Sequence, residues 1–131
     1  MRNFIDLVEG VNDTMLYHVS PERFREVILR DGVKPRSYWA IESVSEYYEE
    51  DAGDNGDYFI IALPISRFDE NHLVPDLPGI EEPVVYSTMG KSSSRVYAEW
   101  TEAEGTWQDT LEIIGSVAYD APVRITSKDI L

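Results

Sequence analysis

Along the chain, β-forming and helix-period apolar patterns alternate with polar breaks. Thr14 to Val19 (Thr-Met-Leu-Tyr-His-Val) is rich in β-formers and predicts a first strand. Ser20 is expected to stop it and cap a helix, with Pro21 at the first helical position and Glu22 at the positive end of the dipole. Phe24, Val27 and Ile28 fall at i, i+3 and i+4, which makes one face apolar, and Gly32 supplies the stop. Val33-Lys34-Pro35 continues as an extended connection, because a residue before proline avoids the helical region. Tyr38 to Ile41 predicts a short strand. Ser43 with Glu46 three residues on fits a capping box, which opens a short helix through Tyr47 and Tyr48.

The pattern then changes. The acidic stretch from Glu49 to Gly56 predicts an exposed turn, and Asp57 to Ile65, almost all apolar, a central strand buried on both faces. Pro75, Pro78, Gly79 and Pro83 punctuate a long loop. Val84-Val85-Tyr86, Arg95 to Trp100 and Leu111 to Ala118 read as further strands, with Val123 to Ile125 as a last one. Trp100 and Trp107, flanking Glu102 and Glu104, suggest a hairpin with a paired aromatic face. Asn3 to Val11 fits a short helix or a loose arm. Helices early and strands late predict an α+β fold: one domain with a split, twisted, mostly antiparallel sheet and one or two covering helices.

Composition narrows the chemistry. A chain of 131 residues with 43% apolar side chains suits one domain with one core. Cysteine is absent, which excludes disulfides, thiolate zinc sites and a cysteine nucleophile. Only His18 and His72 remain as imidazoles. The acids show no spaced calcium-loop pattern, and the nearest approach, Asp51, Asp54, Asn55, Gly56 and Asp57, reads as a solvated turn, so no metal site is expected. No apolar run is long enough to span a bilayer or to serve as a signal peptide, so the expected location is cytoplasmic. The net charge of −14 repels phosphate backbones and anionic lipid. Direct binding to nucleic acid or membrane is therefore disfavoured, and a basic protein partner favoured. The acidity fits a solubilising surface, adaptation to high salt, or mimicry of nucleic-acid charge.

One constellation carries sharper chemistry. Leu16-Tyr17-His18-Val19-Ser20, followed by a helix ending at Asp31-Gly32-Val33-Lys34-Pro35, resembles the opening of ADP-ribosyltransferase-fold proteins, a family that includes the poly-ADP-ribose polymerases and the RNA 2′-phosphotransferases. Tyr38-Trp39-Ala40, Ser43, Ser45 and Tyr48 are similar to a stretch of its polymerase-like branch in order and spacing. The resemblance covers Leu16 to Tyr48; Val19 stands where the family has a glycine. It implies NAD as substrate and transfer of ADP-ribose to a protein or nucleic-acid acceptor, with release of nicotinamide. It implies that His18 holds ribose hydroxyls, Val19 offers backbone groups to the nicotinamide amide, Ser43 or Ser45 bonds that amide, Tyr48 stacks on the ring and Tyr38 forms a second wall. The catalytic carboxylate it requires is Glu112, in Thr110-Leu111-Glu112-Ile113-Ile114, or Glu82, in Glu82-Pro83-Val84-Val85-Tyr86, with Glu112 preferred. The resemblance further implies that an arginine target is disfavoured, because Thr110, two residues before Glu112, stands where arginine-modifying relatives carry an acid.

Other motifs are weaker. Gly90-Lys91-Ser92-Ser93 echoes the end of a phosphate-binding loop, but Val85 stands where that loop needs glycine, so it reads as a turn. No G-x-S-x-G turn supports a serine nucleophile. The rival to the transferase is a non-enzymatic acidic protein, such as a phage-type inhibitor, that docks on a basic surface.

Overall fold

Strand β1 (Met15–Pro21) occupies the place that its β-forming side chains predict, and the sheet grows from it. The structure is a computed structural model that describes residues 14–81 and 89–131. Strands β2 (Ser37–Ala40), β3 (Tyr58–Pro64), β4 (Leu73–Val74) and β5 (Ser116–Tyr119) complete a five-stranded sheet in the order β3-β1-β2-β5-β4. Every neighbouring pair is antiparallel. The pairing is uneven. β1 and β3 are in register from Met15↔Pro64 to Pro21↔Tyr58, and β2 and β5 from Ser37↔Tyr119 to Ala40↔Ser116, whereas β1 and β2 share the single pair Tyr17↔Ala40. The ladder thus opens between β1 and β2, which leaves room on that seam for something other than backbone.

Five α-helices are described: α1 (Arg25–Asp31), α2 (Glu42–Asp54), α3 (Leu77–Glu81), α4 (Ser93–Glu102) and α5 (Trp107–Ile114). That exceeds the one or two helices expected. They enclose two cores. Trp39, Leu16, Ile61, Leu63 and Val117, all fully buried, centre the first, while Val44, Ile80, Val96, Ile113 and Ile114 form the second. Trp39 joins the first core and its neighbour Ala40 the second, as the alternation of side chains along a strand requires.

Several expectations are corrected, each for a local reason. Ser20 does not cap a helix: β1 runs on to Pro21 against Tyr58, and the backbone N–H of Glu22 donates to the Asp57 carbonyl (3.0 Å) before a 3₁₀ turn leads into α1. Gly32 does end α1, at φ 84°. Neither Ser43 nor its capping box opens α2. The cap is Ile41, whose N–H is held by the Gly115 carbonyl (2.9 Å) and whose own carbonyl accepts from the N–H groups of Val44 and Ser45. α2 then continues through the acidic stretch to Asp54, where a turn was predicted.

β3 is an edge strand, not a central one. Phe59, Ile61 and Leu63 are buried in alternation, and the C-terminal segment covers the outer edge through the Ile61↔Ile130 bridge and the Leu131 N–H to the Ile60 carbonyl (2.9 Å). Arg95 to Trp100 is helical because Ser92 caps α4 through the Arg95 N–H (3.2 Å) and Val96 and Trp100, at i and i+4, pack on one core. Leu111 to Ala118 divides at Gly115 into the end of α5 and β5. Thr106 and Asp109 form the capping box that starts α5, so Trp100 and Trp107 stand on two helices and not on a hairpin. Val123 makes only an isolated bridge to Val33. The proposed segments Asn3 to Val11 and Val84-Val85-Tyr86 lie outside the described residues.

Candidate functional site

A hollow of about 530 Å³ opens at the seam between β1 and β2, within the roughly 300–1,000 Å³ usual for small-molecule sites. β1 supplies Tyr17, His18 and Val19 to its wall, and β2 supplies Tyr38, Trp39 and Ala40. Ser45 and Tyr48 from α2 close another side, and Asp76, Gly79 and Ser116 contribute to a third.

His18 bridges the opened seam. Its Nδ1 lies 2.8 Å from the Tyr38 carbonyl oxygen. A carbonyl only accepts, so Nδ1 carries the proton and, in the neutral ring, Nε2 is left as an acceptor. The imidazole rests on the Trp39 ring, with centroids 5.0 Å apart. Burial pushes the His18 pKa below its ordinary value, and the hydrogen bond to the Tyr38 carbonyl offsets this only in part. A depressed histidine pKa means that its contribution to stability is present above the unfolded-state value and lost as pH falls. Between about pH 7.5 and about pH 5.5, the thermal midpoint of the wild type should fall more steeply than that of His18→Gln. Parallel curves by circular dichroism would contradict the assignment of a neutral imidazole.

The aromatic walls are half open. Tyr38 is 41% and Tyr48 36% exposed, which leaves ring surface for a flat ligand. Tyr48 packs edge-on against Tyr47 (5.6 Å), while Ser45, buried at the foot of α2, donates its hydroxyl to Glu49 (3.2 Å). Tyr17 keeps its phenolic proton more firmly than usual, because of burial first and then the Glu42 and Glu49 carboxylates.

Sequence reasoning missed Asp76. It is 3% exposed, and its carboxylate accepts from the Ser116 hydroxyl (2.5 Å) and the Gly79 N–H (2.9 Å), while its own N–H donates to the Thr110 hydroxyl (3.2 Å). The signal was present in Asp76-Leu77-Pro78-Gly79, since aspartate is a preferred helix cap and proline is tolerated in a helix only in its first turn.

The structure brings His18, Val19, Tyr38, Ser45 and Tyr48 to one hollow, but not every residue assigned from sequence. Ser43 is exposed on α2 and does not line it. Glu112 stands exposed on helix α5 instead of on a late strand, and it too is not among the lining residues. Glu82 lies outside the described residues. Among the described residues no cluster of three or more His, Asp or Glu has the geometry for a metal ion, and no helix is long and apolar enough to cross a membrane. Comparison of the chain with protein-family models, with curated proteins and with solved structures finds no match.

Proposed function

We propose that the hollow binds NAD and that the chain transfers its ADP-ribose to a protein or nucleic-acid acceptor, releasing nicotinamide. The observation that carries this reading is convergence: His18, Val19, Tyr38, Ser45 and Tyr48, drawn from β1, β2 and α2, all line one cavity of ligand size. On this reading the nicotinamide ring lies between Tyr38 and Tyr48. Ser45 and the Val19 backbone engage its amide, and the neutral His18 accepts from a ribose hydroxyl. Breaking the bond from ribose to nicotinamide builds positive charge on the sugar, so the site must fix the ribose and face that charge with a negative group. An acidic docking protein needs no such hollow, which favours the transferase over its rival.

Titration of the full chain with NAD by calorimetry, with nicotinamide release followed by chromatography, tests the proposal. Loss of a stacking ring costs about 1–3 kcal/mol, so Tyr48→Ala should weaken binding by roughly five- to 150-fold. His18→Ala, which removes both the hydroxyl acceptor and the bridge to Tyr38, should weaken it about tenfold or more. A wild-type chain that neither binds NAD nor releases nicotinamide with basic proteins or nucleic acids as acceptors would leave the acidic docking protein as the better description.

A further inference from the structure

We infer that Asp76 is the carboxylate that faces the cationic nicotinamide-ribose end of the bound dinucleotide, an inference that rests on the NAD reading above. Four residues lining the hollow carry formal charge: Arg23, Asp51, Asp57 and Asp76. The first three are exposed, and Asp76 is buried. Burying an ionised carboxylate is costly unless it is hydrogen-bonded, and here both oxygens have donors, Ser116 on one and the Gly79 N–H on the other.

A helix cap alone does not account for this arrangement. Capping α3 explains the bond to the Gly79 N–H, and serine or asparagine would perform it as well. It explains neither the Ser116 hydroxyl donating to the second oxygen nor the shape of the turn around the carboxylate. A Cβ on Gly79 would stand 2.5 Å from the Asp76 Oδ2 and 2.6 Å from the Ile114 Cδ1, so only glycine lets the chain close this tightly on the group. Asp76, Gly79 and Ser116 all line the hollow. An ionised carboxylate offers about four lone-pair sites, so two donors leave it capacity to meet a ligand.

The chemistry that such a group recognises is positive charge. The oxidised nicotinamide ring is cationic and the reduced ring neutral, and in a partly desolvated site a fixed negative charge discriminates between them more strongly than in water. In the transfer itself, the bond from the ribose anomeric carbon to the ring nitrogen breaks, and its electron pair leaves with nicotinamide, which becomes neutral. The positive charge passes to the ribose, facing Asp76. A lone pair of the acceptor then forms the new bond to that carbon, and the acceptor's proton is released to water.

The test compares NAD and NADH binding, nicotinamide release and thermal midpoint for the wild type and Asp76→Asn. Asparagine caps a helix as well as aspartate does but carries no charge. The wild type should prefer NAD over NADH by about tenfold or more, and Asp76→Asn should bring that ratio close to one. Nicotinamide release should fall by about 100-fold or more, with the midpoint changed by only a few degrees. Should Asp76→Asn fail to fold, Asp76→Ser, a neutral cap of smaller size, takes its place with the same expectations. A variant that keeps both the NAD preference and the release rate would make Asp76 a helix cap only and leave the NAD reading standing. A wild type that binds neither nucleotide would overturn both.

Discussion

Replacing Trp39 with alanine is expected to lower the unfolding free energy by about 3–5 kcal/mol and to abolish ligand binding at the hollow. Trp39 is fully buried on β2, and its ring meets Phe68 edge-on with centroids 5.0 Å apart. Its indole N–H donates to the Ser37 hydroxyl (2.8 Å), so truncation also strips a buried hydroxyl of its partner. Domains of this size have about 5–15 kcal/mol of stability in all, which makes the loss a large fraction of the total. The same ring backs His18, a wall residue of the hollow, so the variant joins the core to the site. Urea denaturation measures the first effect and NAD calorimetry the second. A stability loss below about 1 kcal/mol would contradict the packing described for the first core.

Gly115→Ala should destabilise the fold by about 2–4 kcal/mol through a different route. Gly115 turns the chain from α5 into β5 in the left-handed region, at φ 73°, which disfavours any side chain. A Cβ there would also stand 2.8 Å from the Val44 Cγ2 and 3.0 Å from Ile41, with both neighbours packed in or against the second core. Its carbonyl holds the Ile41 N–H at the start of α2, the helix that carries Ser45 and Tyr48. NAD affinity should therefore fall together with the denaturation midpoint. If Gly115→Ala unfolds at the wild-type urea concentration, this corner is not the constraint that the geometry implies.

Particular residues show how far sequence reaches. β1, the Gly32 stop, the brief β2 and the turn around Gly90 were legible because each is specified locally, by β-forming side chains or a conformational break. Val96 and Trp100 were misread because β-formers packed at helical spacing satisfy both periods over so short a run. Leu111 to Ala118 looked like one strand because a helix end and a strand are both apolar there; Gly115 was the mark that separated them. β3 seemed central because the chain terminus shields its outer edge, a contact between residues about 70 positions apart, such as Ile61 and Ile130, that no window can see.

The site divides in the same way. His18, Tyr38, Ser45 and Tyr48 lie close together along the chain on elements that were mostly recognised, so their shared cavity was within reach of the motif. The buried acid of the hollow was not. Glu112 was chosen by its place in an expected strand, but the helix turns it to the exterior. Asp76 meets Ser116 across 40 positions, through a turn that reads from sequence as part of a long loop.

Whether NAD occupies the hollow is the most direct question, and amide and indole chemical shifts on titration with NAD answer it. Shifts should concentrate on the backbone of His18, Val19, Tyr38, Ser45 and Tyr48 and on the Trp39 indole, with α4 unmoved. No shifts at saturating NAD, or shifts confined to α4 and α5, would contradict a dinucleotide site at the β1–β2 seam.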